Sequence, residues 1–148
     1  MNIFEVKTDK KRHLSLLLLG DEQENMIDRY LDRGTMYALE DGGTVHAVCV
    51  VTDEGDGALE LKNLAVSPAC QRRGYGRRMV DFLCQTYQGR YARLVAGTGD
   101  SPLTLPFYEA CGFVRSHVIP NFFTDHYDHP IFEGGRQLVD MIYLTKAL

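Results

Sequence analysis

The sequence predicts a mixed α/β fold of the α+β type: one domain, residues 1–148, on a mostly antiparallel sheet of about seven strands with helices on both faces. Three observations carry this. The chain has 148 residues and 45% hydrophobic content, enough for one packed core and cramped for two. Its apolar period switches between two and about 3.6 along the chain. The resulting order is strand, two helices, three-strand meander, helix, strand, helix, two strands, which is that of a mixed sheet covered on both sides.

"NIFEVK" alternates apolar and polar residues as a strand does. Residues 9–19 and 21–33 read as two helices broken at Gly20, the leucines of "HLSLLLLG" forming the buried side of the first. "GTMYALE", the turn "DGG" and "TVHAVCVV" form a hairpin rich in β-branched and aromatic residues. "TDEGDG" is a second turn, and "ALELKNLAV" is the third strand of the meander. Ser67 and Pro68 end it, and residues 74–88 form an amphipathic helix carrying Met79, Val80, Leu83 and Tyr87. "YARLVAG" is a strand, residues 103–111 a helix capped by Gly112, and "FVRSHVI" and "QLVDMIYLT" the closing strands. Between these last two lies an irregular stretch, 119–136, long for so small a domain and too aromatic to be disordered.

A net charge of −4 and a pI of about 5.7 argue against a sequence-independent grip on nucleic acid. Cys49, Cys70, Cys84 and Cys111 lie far apart with no CxxC pair, so neither a disulfide framework nor a zinc site is suggested and a reducing cytoplasm fits best. No stretch is long enough to span a membrane, and the leucine run after "KKRH" is too brief for a signal-peptide core.

Against this acidic background, "QRRGYGRR", residues 71–78, sets four arginines at a helix start. That end already carries about half a positive charge, so cations belong at the other. Either the arginines point into water or an anion lies between them and the free backbone N–H groups. The stretch is no P-loop, lacking the lysine followed by serine or threonine, and no dinucleotide fingerprint, since the third glycine is replaced by Met79. What remains is a strand feeding a turn into a helix, with Gly74 and Gly76 leaving room for a ligand against bare backbone.

Gln71, Gly74 and Gly76 fit the acetyl-CoA signature of the GNAT superfamily of N-acetyltransferases, and "FYEACGF", residues 107–113, resembles that family's aromatic-Tyr-Glu-x-x-Gly-Phe segment. The chain resembles the family over nearly its full length, element by element. The resemblance implies acetyl-CoA as acetyl donor and direct transfer to an amine. It places the pyrophosphate on the N–H groups of residues 72–77, Gln71, Arg72, Arg73, Gly74, Tyr75, Gly76 and Arg77 among the cofactor-binding residues, with Arg78 adding to the field. Leu64, Ala65 and Val66 would pair with the pantetheine arm, where the family splays this strand from its parallel neighbour at a bulge, and Ser101 completes the set. At least one of the four arginines belongs simply to a solvated face.

Attack of an amine on a thioester needs a neutral nitrogen and a proton or hydrogen bond for the departing thiolate. By resemblance Tyr108 is the general acid; the alternative is a packing tyrosine on an amphipathic helix. Glu60 stands where many family members keep a catalytic glutamate and reads as a base acting through water, or as a carboxylate paired with a nearby arginine. Alternation puts Glu60, Lys62 and Leu64 on one face of their strand, and Leu59, Leu61 and Asn63 on the other. Cys111 reads as a small core residue, not as an acyl carrier, because no histidine stands at a motif-defined distance.

In "TDHYDHPIFE", His126 and His129 stand three apart among Asp125, Asp128 and Glu133. Pro130 limits any helix there, so no metal is expected and the segment reads as the lining of the acceptor pocket. Tyr127 and Phe132 are its expected walls, with His126 or Glu133 orienting the amine; Asp125, Asp128, Glu133 and Asp140 oppose the arginine-rich loop and draw a cation. A dimer contact or a plain surface loop is the alternative, and a homodimer is compatible with the sequence. The leading function is N-acetylation of a small-molecule or peptide amine, with no nucleic-acid or membrane partner. A noncatalytic coenzyme A binding or sensing module and a metal-binding regulator are the alternatives.

Overall fold

A computed structural model describes all 148 residues. The sheet has seven strands: β1 (Asn2–Val6), β2 (Thr35–Asp41), β3 (Thr44–Gly55), β4 (Ala58–Val66), β5 (Arg93–Gly99), β6 (Val114–Ile119) and, last in the chain, β9 (Met141–Ala147). Their order is β1-β2-β3-β4-β5-β9-β6, and every pairing is antiparallel except β4 with β5. Helices α1 (Leu14–Gly20) and α2 (Glu24–Ile27) cover one face; α3 (Tyr75–Tyr87) and α4 (Leu105–Ala110) cover the other. No helix is long and apolar enough to cross a membrane.

The meander is tight because Asp41 faces Thr44 and Gly55 faces Ala58 across two-residue loops. Both central residues of each loop have positive φ, as hairpins with the right-handed strand twist demand. The expected turn at 52–57 is thus only Asp56–Gly57, and β3 runs on to Gly55.

Two cores result. On the α3/α4 face, Met79, Val80 and Leu83 interleave with Cys49, Val51, Leu59, Leu61, Leu94 and Leu144; on the other, Leu17 and Ile27 pack on Met36, Val48 and Val50. Leu83 is fully buried, so Leu83→Ala should cost about 2–5 kcal/mol, read as a lowered denaturant midpoint with unchanged slope.

The structure departs from the pattern-based reading at four places. Residues 10–13 form a 3₁₀ turn before α1. The helix expected over 21–33 keeps only Glu24–Ile27 and continues as turns, because Lys10 Nζ takes the carbonyls of Leu31 and Gly34 (2.8 Å each) and the Tyr30 side chain is drawn into the interior. The last strand begins at Met141 instead of Gln137, since Gln137 pairs in a separate hairpin. Within 119–136 lie helix α5 (Phe122–His126) and one arm, β7 (Phe132–Glu133), of a hairpin whose other arm is β8 (Arg136–Gln137).

A fifth departure from simple alternation, at the bulge that the family resemblance implies, matters most for the site. In the β3/β4 register Val50 faces Asn63 while Val51 faces Leu61, so Lys62 is an extra residue, a β-bulge. The bulge reverses the alternation. Leu59 and Leu61, then Leu64 and Val66, face α3 and α4, whereas Asn63 and Ala65 face α1. Leu64 therefore does not share a face with Glu60, contrary to simple period-two reading. Parallel pairing also stops here, at Leu61 with Ala96, while β5 stays paired to β9 as far as Gly99. Beyond the bulge β4 and β5 part.

Candidate active site

The parting strands open toward the start of α3. The loop between β4 and α3 is pinned by Ser67 N–H on the His46 carbonyl (2.7 Å) and by Gln71 Nε2 on the Val66 carbonyl (3.3 Å). Arg72 and Gly74 both adopt positive φ, and the helix begins with no side-chain cap. The first bond of α3 joins Arg78 N–H to the Gly74 carbonyl, so the N–H groups of residues 75–77 have no partner within the helix. A Cβ on Gly74 would meet nothing within 4 Å, while one on Gly76 would lie 3.1 Å from the Phe107 ring. The loop motif and the "FYEACGF" motif thus pack directly on one another.

The arginines divide. Arg77 donates to the Ala110 carbonyl (3.2 Å) and Arg78 reaches Met1 Sδ, whereas Arg72 and Arg73 are exposed and bond to no other side chain. Tyr75 turns inward: it is buried, its hydroxyl donates to Asp41 (2.8 Å) and its ring stacks on His46. That hydrogen bond holds the Asp41 carboxyl below the usual range.

Tyr108 lies on α4, 9% exposed, edge-on to Phe107 and Phe113 with centroids 5.2 and 5.3 Å away. Burial raises its phenol pKa, with smaller contributions from Cys111, Cys49 and Glu133, and no hydrogen bond enters. Cys49 faces Leu64 in the β3/β4 register, and Tyr108 packs in the same core as both. Ser101 is fully buried; its Oγ accepts from Leu103 N–H (3.1 Å) and its carbonyl from Leu105 N–H (3.1 Å), starting α4.

On the opposite face Glu60 is 8% exposed, and one carboxylate oxygen meets Lys62 Nζ at 3.1 Å and the Tyr143 hydroxyl at 3.3 Å. This fits the paired-carboxylate alternative, with lysine in place of arginine. Burial, and then the Glu60 charge, push the Tyr143 phenol upward. Nearby, Asn63 donates to the Leu17 carbonyl (2.9 Å) and to the Tyr30 hydroxyl (3.1 Å). Tyr30 in turn donates to Asp21 (3.1 Å), whose other oxygen accepts from Tyr127 (2.7 Å).

Through that bond the 119–136 segment is latched to the α1–α2 connection. Asp128 N–H donates to Gln23 Oε1 (3.0 Å), and His129 sits between Asp128 and Glu22, which raise its pKa. Phe123, Ile131 and Leu138 give the segment a small core of its own. Of the expected lining residues, Tyr127 and Glu133 are partly buried, and Glu133 Oε2 is buried without a partner. His126 and Phe132 are exposed, the former against the Phe122 ring and the latter 58% accessible, so the structure does not pair Phe132 with Tyr127 as opposing walls.

Residues 32–115 match the acetyltransferase (GNAT) domain family. The N-acetyltransferase YvbK of Bacillus subtilis (strain 168), itself uncharacterised, is 34% identical over 135 residues, 90% of this chain and 87% of its own. This chain belongs to the GNAT acetyltransferase family. Solved GNAT structures overlay closely. An Elizabethkingia anophelis GNAT acetyltransferase with acetyl-CoA bound matches at TM-score 0.93 and 32% identity, over 99% of this chain and 97% of that one. The IAA acetyltransferase of Bacillus cereus matches at 0.92 and 33%, over 99% of each. A B. subtilis acetyltransferase in complex with CoA matches at 0.90 and 32%, over 99% and 98%.

Around this GNAT site, sequence reasoning missed Asp21, Tyr30 and Tyr143 altogether and saw Asn63 only as a strand position. No local motif marks them. Asp21 and Tyr127 are 106 residues apart, and only the fold joins them.

Proposed function

We propose that this chain transfers the acetyl group of acetyl-CoA to a primary amine of a small molecule or peptide by direct attack, without an acyl-enzyme. The observation that carries the reading is the parting of β4 and β5 past Leu61 and Ala96, beside an uncapped α3 N-terminus. The fit of acetyl-CoA rests on this chain's own geometry. Unpartnered N–H groups at the start of α3 and the exposed guanidinium groups of Arg72 and Arg73 suit a pyrophosphate. Open space beside Gly74 admits it, and the unpaired edge of Leu64, Ala65 and Val66 offers backbone groups to the pantetheine amides. Acetyl-CoA-bound and CoA-bound relatives at 32% identity support the same donor.

Tyr108 donates its hydroxyl hydrogen to the departing sulfur. The acceptor enters from the α1/α2 face, where Asp21 and Glu22 on the α1–α2 connection meet Asp128 of the segment latched to it, with His129 between Glu22 and Asp128. This negative lining favours a cationic amine, which must lose a proton before it attacks.

The test is a panel of amines incubated with acetyl-CoA while free thiol is followed. Amine-dependent thiol release with recovery of the N-acetylated amine is the expected result. Binding of acetyl-CoA with no turnover of any amine would favour the noncatalytic module instead.

A further inference from the structure

We infer that Glu133, and not Glu60, is the general base that takes the proton from the acceptor's ammonium group; this rests on the acetyl-transfer reading above. Glu60 is already spoken for: a proton arriving on it breaks the 3.1 Å pair with Lys62 and leaves that ammonium without its counter-charge. Glu133 is in the opposite position. Its Oε2 is buried and accepts from nothing in the chain. A buried carboxylate oxygen with no donor is costly, and the cost is recovered when a donor arrives from outside.

The hairpin that carries Glu133 is fixed against the connection from β5 to α4. Arg136 grips Asp100 through its carboxylate (3.1 Å) and its carbonyl (3.3 Å). Gly134 is pressed so close to Pro102 that a Cβ there would lie 3.0 Å from it, and Leu138, bonded to the Ile131 carbonyl (2.8 Å), packs under Gly99. Glu133 is thereby held beside the start of α4, the helix that carries Tyr108, next to a Gly134 whose Cβ would meet Pro102 and Leu103. A carboxylate oxygen lacking a donor is thus carried by a hairpin fixed on Asp100 and Pro102, in the connection that leads into the helix of Tyr108.

The proton balance closes with these two groups. The ammonium gives one proton to Glu133 and becomes a neutral amine. Its nitrogen forms the C–N bond at the thioester carbonyl, and the C–S bond breaks as the tetrahedral adduct collapses. Tyr108 passes its proton to the leaving sulfur and takes the surplus proton of the new amide nitrogen. Glu133, partly exposed, returns its proton to water. The products are N-acetyl amine, CoA thiol and one proton.

The test compares two probes as acceptors at neutral pH: propylamine, protonated there, and methoxyamine, already neutral. Glu133→Gln is expected to lower kcat/KM for propylamine by roughly 10²- to 10⁴-fold but for methoxyamine by less than about tenfold. Formate should restore part of the propylamine activity of Glu133→Ala, Glu60→Gln should affect both amines alike, and all variants should keep the thermal shift with acetyl-CoA. Equal losses for both amines in Glu133→Gln, or no rescue by formate, would overturn the inference while leaving acetyl transfer intact. Wild-type protein that releases thiol with neither probe nor any amine of the panel would overturn the acetyl-transfer reading and this inference with it. If Glu133→Gln fails to fold, Glu133→Ala with and without formate decides.

Discussion

Replacing Tyr108 with phenylalanine is expected to lower turnover by roughly 10²- to 10⁴-fold while acetyl-CoA affinity stays nearly unchanged. The substitution removes one oxygen and keeps the ring that packs edge-on between Phe107 and Phe113. That oxygen makes no hydrogen bond within the protein, so its loss strips no partner from the fold and should leave the melting temperature close to wild type. The effect belongs to the transition state. Burial is the largest cause holding the phenol above its ordinary pKa, so it remains a neutral donor at any physiological pH. The same apolar surroundings would strengthen a hydrogen bond from it to a sulfur that gains negative charge only as the C–S bond breaks. A group that acts there alone changes kcat and kcat/KM together and leaves donor binding alone. The measurement is single-turnover acetyl transfer with a saturating amine, beside the acetyl-CoA thermal shift. Unchanged single-turnover rates would reduce Tyr108 to a packing residue of α4.

The succession of sheet strands along the chain was legible in the sequence because each strand carries its own period-two pattern and each meander turn its own glycine-containing pair. The bare backbone at Gly74 and Gly76 was legible for a related reason: glycine marks locally a positive φ, as at Gly74, and a close approach, as of Gly76 to Phe107. Lys62 was not. The family resemblance implied a bulge in this strand, but nothing in "LELKNLAV" says which residue is the extra one, because that is fixed by how β3 and β5 pair on either side. One residue of slip exchanged the faces of Leu64 and Asn63, putting Leu64 with α3 and α4 and Asn63 with α1. The 119–136 segment was opaque for reasons of length. A five-residue helix and two-residue strands are too short to show a period, and their placement depends on Asp21, Glu22 and Gln23 at the far end of the chain.

Gly76→Glu should abolish stabilisation by acetyl-CoA. At a hundredfold excess over Kd, a ligand that binds only the folded state adds about 2.7 kcal/mol, which in a chain of this size raises Tm by roughly 5–10 °C. Gly76 lies in the first turn of α3, where a Cβ would stand 3.1 Å from Phe107 and 3.7 Å from Val66. The first two atoms of a new side chain must displace the Phe107 ring, and the carboxylate beyond them is left to turn outward, toward the unpartnered N–H groups. There it fills the anion site with bulk and with the wrong charge, satisfying as a tethered carboxylate the donors that a pyrophosphate would use. Because Phe107 precedes Tyr108, some loss of stability without ligand is expected as well, and a charge-only control is required. Arg72→Glu with Arg73→Glu supplies it: both side chains are exposed and bond to no other side chain, so the free protein should melt as wild type does. The double variant should nevertheless lose most of the acetyl-CoA shift, and the loss should shrink as salt screens the site. A full shift in both variants, each folded, would mean that acetyl-CoA does not bind at the start of α3.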